Sequence, residues 1–423
     1  MENSKTFMCI DLKSFYASVE CAERGLDPFT TNLVVADPTR SRSTICLAIT
    51  PAMKKLGVKN RCRLHEIPAG IEYITAMPRM QLYIDYSSHI YEIYLRYISM
   101  DDIHVYSIDE CFMDISDYLT LYRISAVQMA VMLMDAVKKE TGITATAGIG
   151  TNLYLAKIAM DIVAKHSDDH IGILDEISYR KLLWNHRPLR DFWRTGPKTE
   201  KKLASAGIYT MGDIAKASIE SEDMLYKMFG IDAELLIDHA WGTERCTMSD
   251  IKNYHCRDHS LSNGQILMRN YSFEEASVII CEMADVLSLD LVAKSMITDS
   301  VTLCIAYDHK YGAPPSCGTA KLSSATNSSG EIIKKTEKLY NQIADRHLGI
   351  RRIEICANHI VPETYLQYDI FNDPEKIEKE KNLQKAIIGV KRKYGKNAVV
   401  RGISLLDCST MRERNRQIGG HRA

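Results

Sequence analysis

A chain of 423 residues is long for a single hydrophobic core and implies several domains. Hydrophobic content of 46% and charged content of 25% are ordinary for a soluble globular protein. The most apolar long stretch, Leu121 to Val137, is interrupted by Arg123, Gln128 and Asp135, which excludes a membrane span, and a formal net charge of -1 excludes attraction of a polyanion by the average field.

The first residues, Met1 to Lys5, lack the pattern of a signal peptide. An apolar strand over 6–11 follows, Phe7-Met8-Cys9-Ile10, and ends on Asp11. A helix opens at 14, where Ser14-Phe15-Tyr16-Ala17-Ser18-Val19-Glu20 aims two adjacent aromatics back at the acid. After an excursion over about 30–80, a helix is expected near 86–100 and strands near 104–115, carrying Val105-Tyr106-Ser107-Ile108-Asp109-Glu110. Helix 121–141, stopped by Gly142, strand 145–150 and helix 152–166 come next.

Asp11, Asp109 and Glu110 therefore stand at the ends of hydrophobic strands, where burial would fix them and a divalent metal would neutralise them. Hard cations such as Mg²⁺ take oxygen ligands and share their shell with phosphates. Two of them can clamp the attacking and the leaving oxygen of an in-line displacement. Read singly, Asp11 is equally a turn residue or a helix cap, and Asp109-Glu110 an ordinary loop pair; the joint pattern points to phosphoryl transfer.

Farther along, Arg194-Thr195-Gly196-Pro197-Lys198-Thr199-Glu200-Lys201-Lys202-Leu203 reads as a helix-helix turn with a basic start, either solvated or set against phosphate. From about 250 to 360, strands at 301–307 and 352–355 alternate with helices near 273–290 and 330–347. Tyr311 to Gly330, rich in Gly, Pro, Ser and Thr, is expected to be a flexible loop. From Glu375 a charged helix leads into the tail. Residues 381–423 hold eleven Lys or Arg against Asp407 and Glu413, a net of +9, which leaves -10 for the preceding 380 residues. The tail is either a disordered basic terminus or an arm for DNA or a partner. Twelve cysteines include no Cys-x-x-Cys pair, and most, such as Cys9, Cys46, Cys281 and Cys304, sit in apolar runs and read as buried free thiols.

Asp11 through Glu20, Ser107-Ile108-Asp109-Glu110 and Ala147 through Lys157 resemble, in order and spacing, the Y-family translesion DNA polymerases, the UmuC-like bacterial branch most closely. The resemblance runs over nearly the whole chain. It implies an α/β (α+β) multidomain fold: a ferredoxin-like palm over 1–29 and 81–180, small fingers over 30–80, and a helix-hairpin-helix thumb over 181–247. An α+β little finger over 248–361 and, over 362–423, a clamp-binding peptide with a basic tail complete it. The activity implied is that of a cytoplasmic, template-directed DNA polymerase of low fidelity that bypasses damaged bases. No stretch is left over for a proofreading exonuclease.

The same resemblance implies residue roles. Asp11, Asp109 and Glu110, with the backbone carbonyl of Leu12, would hold two Mg²⁺ ions. Lys54, within a segment Ala48–Gly57 similar to the family's triphosphate-binding helix, and Lys157, after Gly148-Ile149-Gly150, would offset phosphate charge of the dNTP. Alone, each lysine reads as well as a solvated helix face. Tyr16, five residues after Asp11, matches the steric gate that leaves no room for a ribose 2′-hydroxyl, with Phe15 stacking on the nucleotide; without the resemblance the two are equally core aromatics. Gly196 and Lys198 would contact a phosphate of primer-template DNA. Gln367-Tyr368-Asp369-Ile370-Phe371 resembles the pentapeptide that docks on the sliding clamp, the β subunit, with a final strand as its alternative. An accessory subunit of the UmuD type is a further implied partner, and no membrane is involved.

Two departures stand out: Lys13 occupies a position where many members carry a second acid, and Arg194 replaces the first glycine of the usual Gly-x-Gly hairpin. Two rival readings are a nucleotidyl cyclase-like palm enzyme and a non-catalytic DNA-repair scaffold. The cyclase has no need of a thumb hairpin or clamp peptide, and the scaffold has no need of three acids.

Overall fold

The computed structural model describes residues 5–41, 43–254, 260–364 and 374–423, and the chain divides into two compact units, Met1–Tyr254 and His255–Ala423. No helix among the described residues is long and apolar enough to cross a membrane.

The first unit opens with β1 (Phe7–Leu12) and α1 (Phe15–Ala22). The excursion forms β2 (Leu33–Val35), β3 (Ala48–Ile49), α2 (Pro51–Lys55) and β4 (Ile74–Ala76), a three-stranded sheet closed over its own core of Val34, Cys46, Ile49 and Met53. Then come α3 (Met80–Leu95), β5 (Ile103–Val105), β6 (Glu110–Asp114), α4 (Ser116–Tyr122), α5 (Ala126–Thr141), β7 (Ala145–Gly150), α6 (Leu153–Ile158) and β8 (Ile171–Leu174). The sheet order is β5-β6-β1-β7-β8, with β7 and β8 parallel and the other pairs antiparallel. Without β8, β1-α3-β5-β6-α5-β7 is a βαββαβ unit in the ferredoxin-like order. β1 is its central strand, which explains why every residue but Asp11 is fully buried.

Three helix expectations shift. The helix placed near 86–100 begins at Met80, and that placed at 121–141 is two helices. Arg123 takes a left-handed conformation (φ 55°) that ends α4, and a capping box between Ser125 and Gln128 starts α5 afresh; Gly142 (φ 73°) stops it. The helix placed at 152–166 is regular only through Ile158, then widens into a π-helical turn over Ala159–Val163 and tightens over Ala164–His166. A helical region follows: α7 (Glu176–Leu183), α8 (Pro197–Ala204), α9 (Met211–Glu220), α10 (Glu222–Phe229), α11 (Asp232–Trp241) and α12 (Met248–Asn253). Phe192, Leu203, Met211 and Leu225 form its core with Tyr154 and Tyr179.

The second unit contains β9 (Ser260–Tyr271), α13 (Phe273–Ala293), β10 (Met296–Tyr307), β11 (Ser316–Thr326), α14 (Ser329–Ile343) and β12 (Ile350–Asn358). Its antiparallel sheet runs β11-β10-β12-β9, with α13 and α14 packed through Leu287, Ile332 and Tyr340 against Leu303 and Ile355. The loop expected over Tyr311 to Gly330 is corrected: most of it is the edge strand β11, whose small polar residues alternate between half-buried and exposed instead of forming a coil. Cys304 is corrected as well. It faces Cys317 directly across the β10–β11 pair, and the two form a disulfide; the other cysteines among the described residues are free.

Beyond β13 (Val361–Pro362), α15 (Pro374–Tyr394), α16 (Met411–Arg414), β14 (Gln417–Ile418) and β15 (His421–Arg422) make up the tail. It is folded and docked, not a free arm. Gln384 is buried and donates to Ser288 Oγ (2.8 Å), Asn327 O (3.0 Å) and Ser329 Oγ (3.0 Å). Arg401 pairs with Asp285 at 2.7 Å, and Ser409 Oγ donates to Glu282 at 2.6 Å. Part of the tail's positive charge therefore answers acids on α13.

Candidate active site

Strand pairing brings the three acids together. Asp11 is directly opposite Glu110 across β1 and β6, and the N–H of Leu12 donates to Asp109 O at 2.9 Å. Ser107 Oγ donates to Asp109 Oδ1 at 2.7 Å, and Ser87 of α3 donates to Ile108 O at 2.6 Å, so the turn before β6 is tied from two sides. Burial first, then the charges of Asp109 and Glu110, push the Asp11 carboxyl up to about 7. Like charges held this close call for a counter-cation. An all-oxygen donor set of three carboxylates fits a hard divalent metal.

Glu110 already has a partner. Lys157 Nζ lies 2.8 Å from Glu110 Oε1 and 3.0 Å from Asp161 Oδ2, and Cys9 Sγ donates to Glu110 at 3.2 Å. Among the described residues no group of three or more acidic, imidazole or thiol side chains stands close enough together to hold a metal ion, so Asp11, Asp109 and Glu110 would have to draw in around one. Lys157 is buried, not on a solvated helix face. Burial works against its charge, but Asp161 and Glu110 outweigh burial and hold the ammonium above its ordinary range. Asp161 was not singled out in the sequence, although its spacing of four from Lys157 on a helix is a readable signal.

The glycines before Lys157 act by permitting close approach. A Cβ at Gly148 would meet Ala156 O at 2.1 Å and Met160 N at 2.3 Å, and one at Gly150 would meet Ala156 N at 2.3 Å. Helix α6 therefore lies directly on β7, which delivers Lys157 to Glu110. At its N-terminus Asn152 Oδ1 accepts from Leu155 N–H at 2.8 Å, so one of the N–H groups there is already taken.

Lys54, exposed on α2, feels Asp11 and Lys165. Burial lowers Lys13 to about 8, against the pull of Asp11 and with the push of Lys54. Cationic groups from three separate stretches thus border Asp11. Tyr16 is half-buried and stacks on Tyr83, whereas Phe15 is only 3% exposed and offers a nucleotide little surface. Sequence reasoning missed Tyr83, because nothing local links it to Tyr16.

In the helical region, Arg194 has φ 66°, so it adopts the left-handed conformation of the glycine it replaces. Gly196 caps α8, Pro197 follows, and no side chain caps the N–H groups there; Lys198 is exposed beside them. Gln367, Asp369, Ile370 and Phe371 lie outside the described residues.

The chain matches the impB/mucB/samB family over residues 10–161 and that family's C-terminal domain over 258–370. It is 29% identical over 422 residues to a protein of Bacillus subtilis (strain 168) named for UV-damage repair, UvrX, covering 99% of this chain and 98% of that one. It is 28% identical to DNA polymerase IV 2 of the same strain, covering 100% of both, and 27% identical to DNA polymerase IV of Pelotomaculum thermopropionicum (strain DSM 13744 / JCM 10971 / SI), covering 96% of each. Its fold is similar to that of the Y-family DNA polymerase chimera Dbh-Dpo4(243-245)-Dbh, with a TM-score of 0.64 at 18% identity over 84% of this chain and 99% of the chimera. With both of its segments matched in order, around acids that strand pairing brings together, the chain belongs to the impB/mucB/samB family of Y-family translesion polymerases.

Proposed function

We propose that this chain extends a primer 3′-hydroxyl across damaged template with Asp11, Asp109, Glu110 and the carbonyl of Leu12 as ligands of two Mg²⁺ ions. The activity itself is that of a low-fidelity DNA-directed DNA polymerase, acting on primer-template DNA with dNTP substrates and dependent on a divalent metal. The observation that carries the residue assignment is the register pair Asp11–Glu110 with Asp109 adjoining it, where burial first and then the charges of Asp109 and Glu110 raise Asp11.

When bound, the metals would make the primer hydroxyl more acidic and support the leaving pyrophosphate. The protein's own groups do the positioning. Ser107 holds the Asp109 carboxylate, and Lys157 holds Glu110 in place while no metal competes for it. Lys54 offsets negative charge on the triphosphate from the side of Asp11. Tyr16 serves as the steric gate, its ring filling the space a 2′-hydroxyl needs.

The unit 1–254 contains the palm (1–29 and 81–180), the fingers (30–80) and the thumb (181–247). The little finger spans 248–361, its first residues, 248–254, lying within the first compact unit. The turn Arg194-Thr195-Gly196, with free N–H groups at α8 and Lys198 beside them, binds a DNA phosphate. Gln367, Asp369, Ile370 and Phe371 dock on the sliding clamp in the cytoplasm, and an accessory subunit of the UmuD type is a candidate partner. Loss of clamp pull-down by an Ile370→Ala/Phe371→Ala variant tests the peptide.

Primer extension on an undamaged template tests the central claim. The wild-type chain adds nucleotides with Mg²⁺ and Asp109→Asn does not; full activity of Asp109→Asn would overturn the assignment.

A further inference from the structure

Beneath Tyr16 lies a charged assembly, buried at Glu20 and Tyr83 and reached from the surface by Arg79 and Arg24, that the polymerase chemistry does not use. The Tyr16 ring stacks on Tyr83 with centroids 4.5 Å apart and planes 17° from parallel. Tyr83, fully buried in the first turn of α3, donates its hydroxyl to Glu20 Oε1 at 2.7 Å. Glu20 is also fully buried. It follows Tyr16 by four residues on α1 and therefore shares its face. Arg79, at the start of α3, grips both Glu20 oxygens from Nε (2.9 Å) and Nη2 (2.8 Å), and Arg24 donates to the same carboxylate. Burial opposes the Glu20 charge, but the Arg79, Tyr83 and Arg24 hydrogen bonds outweigh it and hold the carboxyl below its ordinary range.

Such an assembly is an expensive way to fill space. A carboxylate taken fully out of water is commonly no more stabilising, even when paired, than apolar groups of the same volume, and apolar side chains at both 20 and 83 would fill the space without one to desolvate. What the charges provide is orientation. The forked Arg79–Glu20 pair and the Tyr83 hydroxyl fix one ring plane, and stacking passes that plane to Tyr16, which is otherwise half-exposed and able to tilt. A sugar gate discriminates on the volume of a single hydroxyl, so a ring displaced by about 0.5 Å or more would admit it.

We infer that Tyr83, oriented by Glu20 and Arg79, is a positioning residue for sugar selection: it holds the Tyr16 ring in the plane that excludes ribonucleotides. This rests on the reading of Tyr16 as the gate and deepens it. Tyr83 touches neither nucleotide nor metal and acts through Tyr16.

The test is single-nucleotide insertion of matched dNTP and rNTP on one primer-template by the full chain, with kcat and KM measured separately. Tyr83→Leu keeps the bulk and loses the flat face. The expected result is a rise of about tenfold in rNTP kcat/KM, carried by KM, whereas a merely structural defect lowers kcat/KM for both sugars. Tyr83→Phe, which keeps the ring but loses the bond to Glu20, gives a smaller rise in rNTP kcat/KM of about threefold, and no change at all would overturn the part assigned to Glu20 and Arg79. Tyr16→Ala/Tyr83→Leu discriminates no worse than Tyr16→Ala, because the two act as one unit. Should Tyr83→Leu not fold, Tyr83→Met carries the same comparison. If Tyr16→Ala relaxes sugar choice and Tyr83→Leu or Tyr83→Met does not, the positioning role is overturned while the gate stands. If Tyr16→Ala leaves sugar choice unchanged, the gate reading fails, and this inference with it.

Discussion

Lys157 Nζ lies 2.8 Å from Glu110 Oε1, and both side chains are buried, so a cation of the protein stands beside one of the three acids. Replacing Lys157 with alanine strands the Glu110 carboxylate in a low-dielectric setting. Breaking a buried pair from one side costs about 3–5 kcal/mol, so Lys157→Ala should lower unfolding stability by about 3 kcal/mol in urea titration without metal. Added Mg²⁺ should restore part of the loss.

Asp11 makes stability depend on pH. Its folded-state value of about 7 lies above its ordinary value of 3.8, so the folded protein binds the extra proton between those values and stability falls as pH rises through that window. At about 1.4 kcal/mol per pH unit the upper limit is ~4 kcal/mol. Thermal unfolding in a chelator should show the midpoint falling from pH 4 to pH 7. Asp11→Asn should flatten that slope and abolish primer extension.

Gly150 has no room for a side chain, since a Cβ would meet Ala156 N at 2.3 Å. Gly150→Ala must push α6 off β7 and carry Lys157 with it. The expected loss is about 3 kcal/mol in denaturant unfolding, accompanied by reduced primer extension.

Arg194 occupies a left-handed conformation that glycine adopts without strain. Arg194→Gly should stabilise the chain by ~0.5–1 kcal/mol, read as a raised thermal midpoint. An unchanged or lowered midpoint would show that the guanidinium offsets the strain through its place over the Trp193 ring.

Gln384 ties the tail to α13 and α14. Gln384→Ala removes its bonds to Ser288, Ser329 and Asn327, which keep only those they make among themselves, at a cost of about 1 kcal/mol. Limited proteolysis should then release fragments ending within α15 or beyond it, which the intact protein resists.

Much of the first unit was legible because its signals are local. The run Phe7-Met8-Cys9-Ile10 reads as a buried strand, and Gly142 as a helix stop, from a few neighbouring residues each. The break at Arg123 was not legible, because an arginine in a left-handed cap carries no compositional mark. Nor was β11, whose Gly, Ser and Thr residues suit a coil equally well; pairing with β10 decided the matter. The tail's positive charge suggested an arm, since the acids it meets, Glu282 and Asp285, are more than a hundred residues away in the chain.

By itself the sequence determined that acids end two apolar strands and that two aromatics follow the first of them, since strand and helix periodicity act over a few residues. Only tertiary structure decided that Asp11 faces Glu110, that a lysine lies against that pair, and that a tyrosine 63 residues from Glu20 backs Tyr16. Those relationships depend on register and on backbone approach at Gly148 and Gly150. Both are properties of packed elements and not of any one of them.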